Sequence, residues 1–535
     1  MVIKRTAVKG SANISVLAEA LRFKTSGRVA KNRFMKASLS EYISTFDKCN
    51  VAITGHITPT LHNLYEKWGQ GGFGLVLTGT IMYDPYHLEA AGNHVLCKEN
   101  WSDKKGDELR KLATAIKADG ALAVAQLGHA GRQTPLHLNP HPLAPSAVPL
   151  AGKPFGNSYG FPVALTLEQI QTEVIERIVF ASEKLRNAGF DGIQLHGAHG
   201  YLLAEFISPT TNLRTDRYGG SAEKRAQILV DAYNAIRKRI PASTGFIIGA
   251  KLNSVEFQSH GLGLEDAITT AKIVDQTGFD FIEFSGGTYE KFGFDQKETT
   301  IKREAFFIQF TEAIKPHLKS VVVYLTGGFR TAAAMVDAIK NGATDGIGLG
   351  RPTTAEPDLP TKILSGQALS TAFSPVEAVY DQGFAISTTQ MGQAGALPYS
   401  ACHADPCFGI MDQSDDREYK EFVTAYKRAM NSQLLVLFVV IGLVVAGPID
   451  NVLSKLNPSQ KNQLKQLVKD SQGKPRAQVR EGFQDFFNGM GDEFRESLKK
   501  DLAFLDELTN DLLEKGRRLI PDNQDQEDQD QEDFQ

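Results

Sequence analysis

Between residues 31 and 350, short apolar, β-branched runs alternate with longer stretches whose apolar positions recur every three or four residues. Eight runs read as strands: 33–37, 74–80, 121–127, 192–195, 246–252, 281–285, 321–326 and 346–349. Helical patterns between them include 167–188, 221–239, 264–277, 304–317 and 331–341, and Thr166, Ser221 and Thr331 stand where N-caps belong. Eight strand–helix repeats predict an α/β fold, a (β/α)8 TIM barrel. A doubly wound open sheet has the same strand count, so the placement of polar residues must decide.

Those residues gather just past the strand ends. Gln126 ends the third strand and His196 follows the fourth, opening the run HGAHGYLL. Lys251 ends the fifth, Gly286 and Gly287 follow the sixth, Gly327 and Gly328 follow the seventh, and GLGRP (348–352) closes the eighth. A barrel collects its chemistry at that end. Glycine turns after strands seven and eight let bare backbone N–H groups approach phosphate oxygens, and Arg351 lies beside the second turn. They also serve as plain tight turns. The densest cluster is His196, His199 and Tyr201, three hydrogen-bond donors within six residues, able to hold a substrate carbonyl and deliver a proton. Metal binding by the His-x-x-His pair is the alternative, but no Cys or carboxylate nearby in sequence completes a ligand set, and no metal is expected.

Composition adds little until residue 430. The net charge of −4 gives no argument for nucleic acid or an anionic membrane as partner, and four scattered cysteines do not make a disulfide scaffold. The first residues lack a continuous apolar run, so the barrel is expected to be cytoplasmic. An unbroken apolar run then spans 434–447. At ~1.5 Å per residue its fourteen residues reach about 21 Å, short of a ~30 Å hydrocarbon core but fitting a secretory signal. Either it is a buried or membrane-associated helix, the one route to a membrane, or 430–535 is a separate small secreted protein joined by gene fusion or a faulty gene model. Beyond it, Phe494, Leu498, Leu502, Leu505, Leu508 and Leu512 mark one face of an amphipathic helix. The expected layout is a barrel over 1–375, an extension or linker over 376–429, the signal-like segment 430–447, a small all-α module over 448–520 and an acidic disordered tail over 521–535.

The segment 196–225, HGAHGYLLAEFISPTTNLRTDRYGGSAEKR, closely resembles the signature region of the old yellow enzyme family, the NADH:flavin oxidoreductases. The resemblance extends through KNRFMKASLSEY (31–42), GGFGLVLTGT (71–80), AQLGHAGRQ (125–133), LTGGFR (325–330) and GLGRPTTAEPDLP (348–360), covering roughly residues 15–370. It implies a TIM barrel with tightly bound FMN, reduced by NADH or NADPH. It implies hydride transfer to the activated C=C of an enone, a dienoyl thioester or a quinone-like acceptor. Residue by residue, it implies that His196 and His199 hold the substrate oxygen, that Tyr201 protonates the α-carbon, and that Gln126 binds the flavin pyrimidine edge. Ser40 would tune the C4 carbonyl, with Leu39 and Thr80 offering backbone contacts, and Gly327, Gly328, Gly350 and Arg351 would hold the phosphate. The segment RTDRYGGS is expected to be a supporting loop and cap.

Three departures stand out. Lys251 replaces the usual arginine beside flavin N1, keeping the charge but losing the planar fork. Ser38 replaces a proline, which should loosen the turn carrying Leu39 and Ser40. Only Cys402 and Cys407 follow the barrel, too few for the four-cysteine iron–sulfur motif of longer relatives, so direct reduction of FMN by NAD(P)H is expected. Two other functions remain open: a flavin-binding barrel without turnover, and a secreted binding module at the C-terminus.

Overall fold

A computed structural model describes residues 3–8, 12–256, 260–290, 308–376 and 380–431, and the chain divides into two units, 1–421 and 422–535. The apolar run 434–447, the helical module and the acidic tail lie outside the described residues, as does part of the helix expected at 304–317. Of the second unit, residues 422–431 are described, as the end of a helix that begins at Asp416.

Eight strands form the barrel: β1 (Phe34–Lys36), β2 (Leu75–Leu77), β3 (Leu122–Gly128), β4 (Gly192–Gly197), β5 (Ile247–Asn253), β6 (Phe281–Ser285), β7 (Val322–Thr326) and β8 (Gly346–Leu349). Each pairs in parallel with its neighbours, β8 pairs with β1, and β3 with β4, so the sheet closes. An open sheet is thereby excluded. The caps are as the sequence predicts: the Thr166, Ser221 and Thr331 side chains each accept a backbone N–H three residues on. The stretch from Leu167 to Asn187 is helical throughout, with a wide π-type turn at Ile170–Ile175.

Strand side chains alternate between two environments, as a period of two requires. Ile193, Leu195, Ile248, Ala250, Val323 and Leu325 face outward into the large core beneath the helices. Met35, Leu75, Leu122, Ile247, Phe281 and Val322 belong to a second cluster that fills the barrel's lower interior. A short hairpin, Leu21–Arg22 against Val29–Ala30, closes that end through Phe23, whose ring lies 6.0 Å from that of Phe281. Further along the same strands the alternate positions become polar: Gln126, Gln194, Lys251 and Glu283, all buried. The barrel is therefore apolar at its closed end and polar towards its carboxyl end.

Helix α1 (Pro59–Gly69) packs outside the first strands and is itself covered by α2 (Tyr380–Gly395). Asn63 Nδ2 donates to the Gly395 carbonyl at 3.0 Å, the buried Lys67 donates to the Ala394 carbonyl, and Tyr399 N donates to Glu66 at 3.0 Å. Residues 380–414 thus lie against the barrel, and Ser414 Oγ accepts from Lys4 N at 3.0 Å.

Candidate active site

The chain turns sharply after β4 because His199 (φ 60°) and Gly200 (φ 78°) both take left-handed conformations. A Cβ on Gly200 would lie 2.5 Å from Gln133 Oε1, so the turn needs glycine there. This loop, rather than a helical turn, brings the three candidate residues together. The His196 ring lies 4.5 Å from that of Tyr201 and 5.3 Å from that of His199 (centroid to centroid), nearly perpendicular to the latter. His199 N donates to Asn253 Oδ1 at 3.1 Å, and its Nε2 lies 2.8 Å from Ser285 Oγ. Among the described residues the triads with metal-ligand spacing lie elsewhere, at Asp84, His87 and His129 and at Asp358, Asp405 and Cys407. In the first, Leu143 N donates to His87 Nε2, which places the ring proton on Nδ1, aimed at Asp84. That histidine nitrogen is a donor, not a ligand.

Burial governs the ionisation of all three site residues. It holds His196 well below the usual imidazole range, and the charges of His199 and Lys251 add to the effect. His199 is pushed down to about 3 by burial, then by Lys251. Both rings are neutral at pH 7 and can donate one hydrogen bond each. Tyr201 is raised well above its ordinary value by burial, then by the Glu89 carboxylate and the tyrosines Tyr289 and Tyr42, so it keeps its proton. The linkage has a definite sign. A folded-state imidazole pKa below the unfolded one means the unfolded chain binds more protons, so stability is lost as pH falls below about 6.5. His199→Asn should flatten the fall of the melting temperature between pH 6.5 and about 3; an unchanged slope would contradict the assignment.

Beneath the imidazoles runs a hydrogen-bonded chain across the barrel. Ser38 Oγ and Thr80 Oγ1 each donate to Gln126 Oε1 at 2.8 Å, and Gln126 Nε2 donates to Gln194 at 2.7 Å. Gln194 Nε2 donates to Glu283 at 2.8 Å, and Glu283 pairs with Lys251 at 3.0 Å. One expectation changes here, and one residue gains a partner. Ser38 fastens its turn to Gln126 through a hydroxyl that proline lacks, so the turn is tied rather than loosened. Lys251 does not stand as an unopposed cation, because the buried Glu283 offsets its charge.

At the other side of the opening, Gly327 (φ 148°) and Gly328 (φ 76°) follow β7 in backbone conformations that favour glycine. Thr326 Oγ1 is buried there without a hydrogen-bond partner among the described residues. A Cβ on Gly350 would meet only Leu39 Cδ2, at 3.6 Å, and the Arg351 guanidinium packs against Gly383 of α2. An orphaned hydroxyl, bare glycines and a guanidinium fit a phosphate, and the polar chain of Gln126 and Lys251 suits the hydrogen-bonding edge of a flavin. Leu39 and Ser40 lie on the loop after β1, next to Ser38. Arg214 forks onto Asp216 and donates to the Pro145 and Leu165 carbonyls, in a loop that leads to the Ser221 cap.

The sequence reading missed several residues at the site. Gln194 and Glu283 were detectable as polar residues at interior positions of apolar strands. Glu89, Tyr42 and Tyr289 had no sequence signal. Tyr201 donates its hydroxyl proton to Glu89 Oε2, and its oxygen lies 3.0 Å from that of Tyr289. Tyr42 (φ 57°) is raised well above its ordinary value by burial and then by the charge of the same carboxylate.

A closed barrel with neutral imidazoles, a phenol and bare glycines at its carboxyl end fits the class of flavin oxidoreductases. The sequence profile of the NADH:flavin oxidoreductase / NADH oxidase family matches residues 23–370, and the chain belongs to that family. The chain is 39% identical over 387 residues to the NADH-dependent flavin oxidoreductase nadA of Aspergillus parasiticus, covering 71% of this chain and 86% of that protein. The old yellow enzyme homologue from Zymomonas mobilis superimposes with a TM-score of 0.54 at 25% identity, over 67% of this chain and 95% of that one. A complex of 2-naphthoyl-CoA reductase gives a TM-score of 0.59 at 24% identity, over 67% of this chain and 54% of that one, so this chain spans about half its length. The protein is an FMN-dependent NAD(P)H oxidoreductase of the old yellow enzyme type. Among the described residues no helix is long and apolar enough to cross a membrane.

Proposed function

We propose that the enzyme reduces the activated C=C bond of a small α,β-unsaturated carbonyl compound or a similar dienoyl or quinone-like acceptor. The observation that carries this reading is the convergence of His196, His199 and Tyr201, with centroids 4.5 Å and 5.3 Å from that of His196. His196 and His199, both neutral donors, hold the acceptor oxygen and draw electron density from the conjugated bond. Tyr201 protonates the α-carbon. Gln126, Thr80, Ser40, Leu39 and Lys251 hold the flavin ring, while Gly327, Gly328, Gly350 and Arg351 hold its phosphate. FMN, when bound, supplies the hydride that NADH or NADPH has delivered to it.

The barrel works in the cytoplasm on this reading. The layout continues as an extension over 376–429, with 430–535 a separate secreted module joined by fusion or gene-model error. The full-length protein should purify yellow, bleach when NADH or NADPH is added without oxygen, and regain colour when an enone such as cyclohexenone is supplied. A yellow protein inert to both additions would favour the flavin-binding barrel without turnover. A colourless protein that takes up no added FMN would defeat both readings.

A further inference from the structure

Glu89 is a buried carboxylate that the chemistry above leaves without a task. It lies on the loop after β2, where Asn93 Oδ1 accepts from the Glu89 and Ala90 backbone N–H groups. Oxygen Oε2 accepts the Tyr201 hydroxyl, and Oε1 is buried without a hydrogen-bond partner among the described residues. Among the described residues, the carboxylate acts on tyrosines from separate segments: Tyr42 after β1, Tyr159 from the arm between β3 and β4, and Tyr201 after β4, which in turn touches Tyr289 after β6. None of them is a cation that would fix Glu89 as half of an ion pair. A buried acid touching the proton donor of the site, with one oxygen unspent, is placed to exchange a proton with that donor.

The geometry points to Glu89 as the proton store behind Tyr201, a positioning residue that recharges the phenol during alkene reduction. The inference rests on the ene-reductase reading. In the step, the phenolic O–H of Tyr201 breaks as a C–H bond forms at the α-carbon. The carboxylic O–H of Glu89 breaks as a new phenolic O–H forms. Hydride from the reduced flavin accounts for the other hydrogen and both electrons, and solvent later returns one proton to Glu89. What remains is a carboxylate accepting a hydrogen bond from a neutral phenol, the arrangement the structure holds. The relay is needed because burial pushes tyrosinate formation at Tyr201 far out of reach. A phenol that gave up its proton alone would leave a buried phenolate with nothing to recharge it.

Glu89→Gln in the full-length protein provides the test, because the amide oxygen still accepts from Tyr201 but the side chain has no proton to give. FMN content and anaerobic bleaching by NADH check the flavin reading separately from the relay. With both normal, reoxidation by cyclohexenone should slow by at least about tenfold. The rate in mixed H2O/D2O should change from a bowed to a straight dependence on deuterium content. Glu89→Asp should recover the bowed dependence. In a Tyr201→Phe background, Glu89→Gln should have no further effect. Reoxidation of Glu89→Gln with unaltered rate and unaltered deuterium dependence would overturn the relay, as would full additivity of the two substitutions. Should Glu89→Gln lose FMN, Glu89→Asp decides alone: a bowed deuterium dependence supports the relay and a straight one overturns it.

Discussion

Tyr201→Phe leaves anaerobic bleaching by NADH within about twofold of the unmodified protein, while reoxidation by an enone falls by about 10²- to 10⁴-fold, the usual worth of a positioned general acid. The expectation follows from the neutral state of the phenol, which burial and the carboxylate beside it enforce. Phenylalanine keeps the ring next to His196 but removes the only hydrogen that this side chain can give. The substitution also deprives Glu89 Oε2 of its donor, so the variant should be less stable by about 1–3 kcal/mol, the cost of an unmet buried acceptor. Single-turnover absorbance traces of each half-reaction separate these effects. Equal slowing of both halves would show that Tyr201 supports the site instead of protonating the acceptor.

His196→Ala should lower kcat/KM for the same enone by about 10²- to 10³-fold, the typical loss for one preorganised donor to a developing oxyanion. The fall should appear in kcat, because polarisation of the carbonyl strengthens towards the transition state. His199→Asn should be far milder. Asparagine tolerates the left-handed backbone at that position, and its amide still offers a hydrogen-bond donor. Steady-state kinetics of both variants test the pair. A rise in KM with kcat unchanged in His196→Ala would reduce that residue to a binding contact.

The barrel and its chemical end were legible in the sequence because both follow from local rules. Period-two apolar runs specified the strands, caps such as Thr166 located the helices, and polar residues gathered after the strand ends marked the opening. The His196–Tyr201 cluster was readable because its members are adjacent in the chain. What escaped depends on contacts between distant segments. Glu89 meets Tyr201 across more than a hundred residues, and Lys251 meets Glu283 only because β5 and β6 are neighbours in a closed sheet. The role of Ser38 escaped for the same reason, since its hydrogen bond to Gln126 joins the first strand to the third. Substituting serine for proline looked like a loss until its partner was known.

The docking of α2 on α1 bears on how the protein can be shortened. Lys67 is fully buried and its ammonium group relies on the Ala394 carbonyl, while Asn63 and Glu66 on the same helix bind Gly395 and Tyr399. A polypeptide stopped at residue 375, where the family resemblance fades, would strip that amine of its acceptor and bare the outer side of α1. Trimmed versions for crystallisation or assay should therefore run through Glu421, and limited proteolysis of the intact chain should yield a stable fragment that keeps α2.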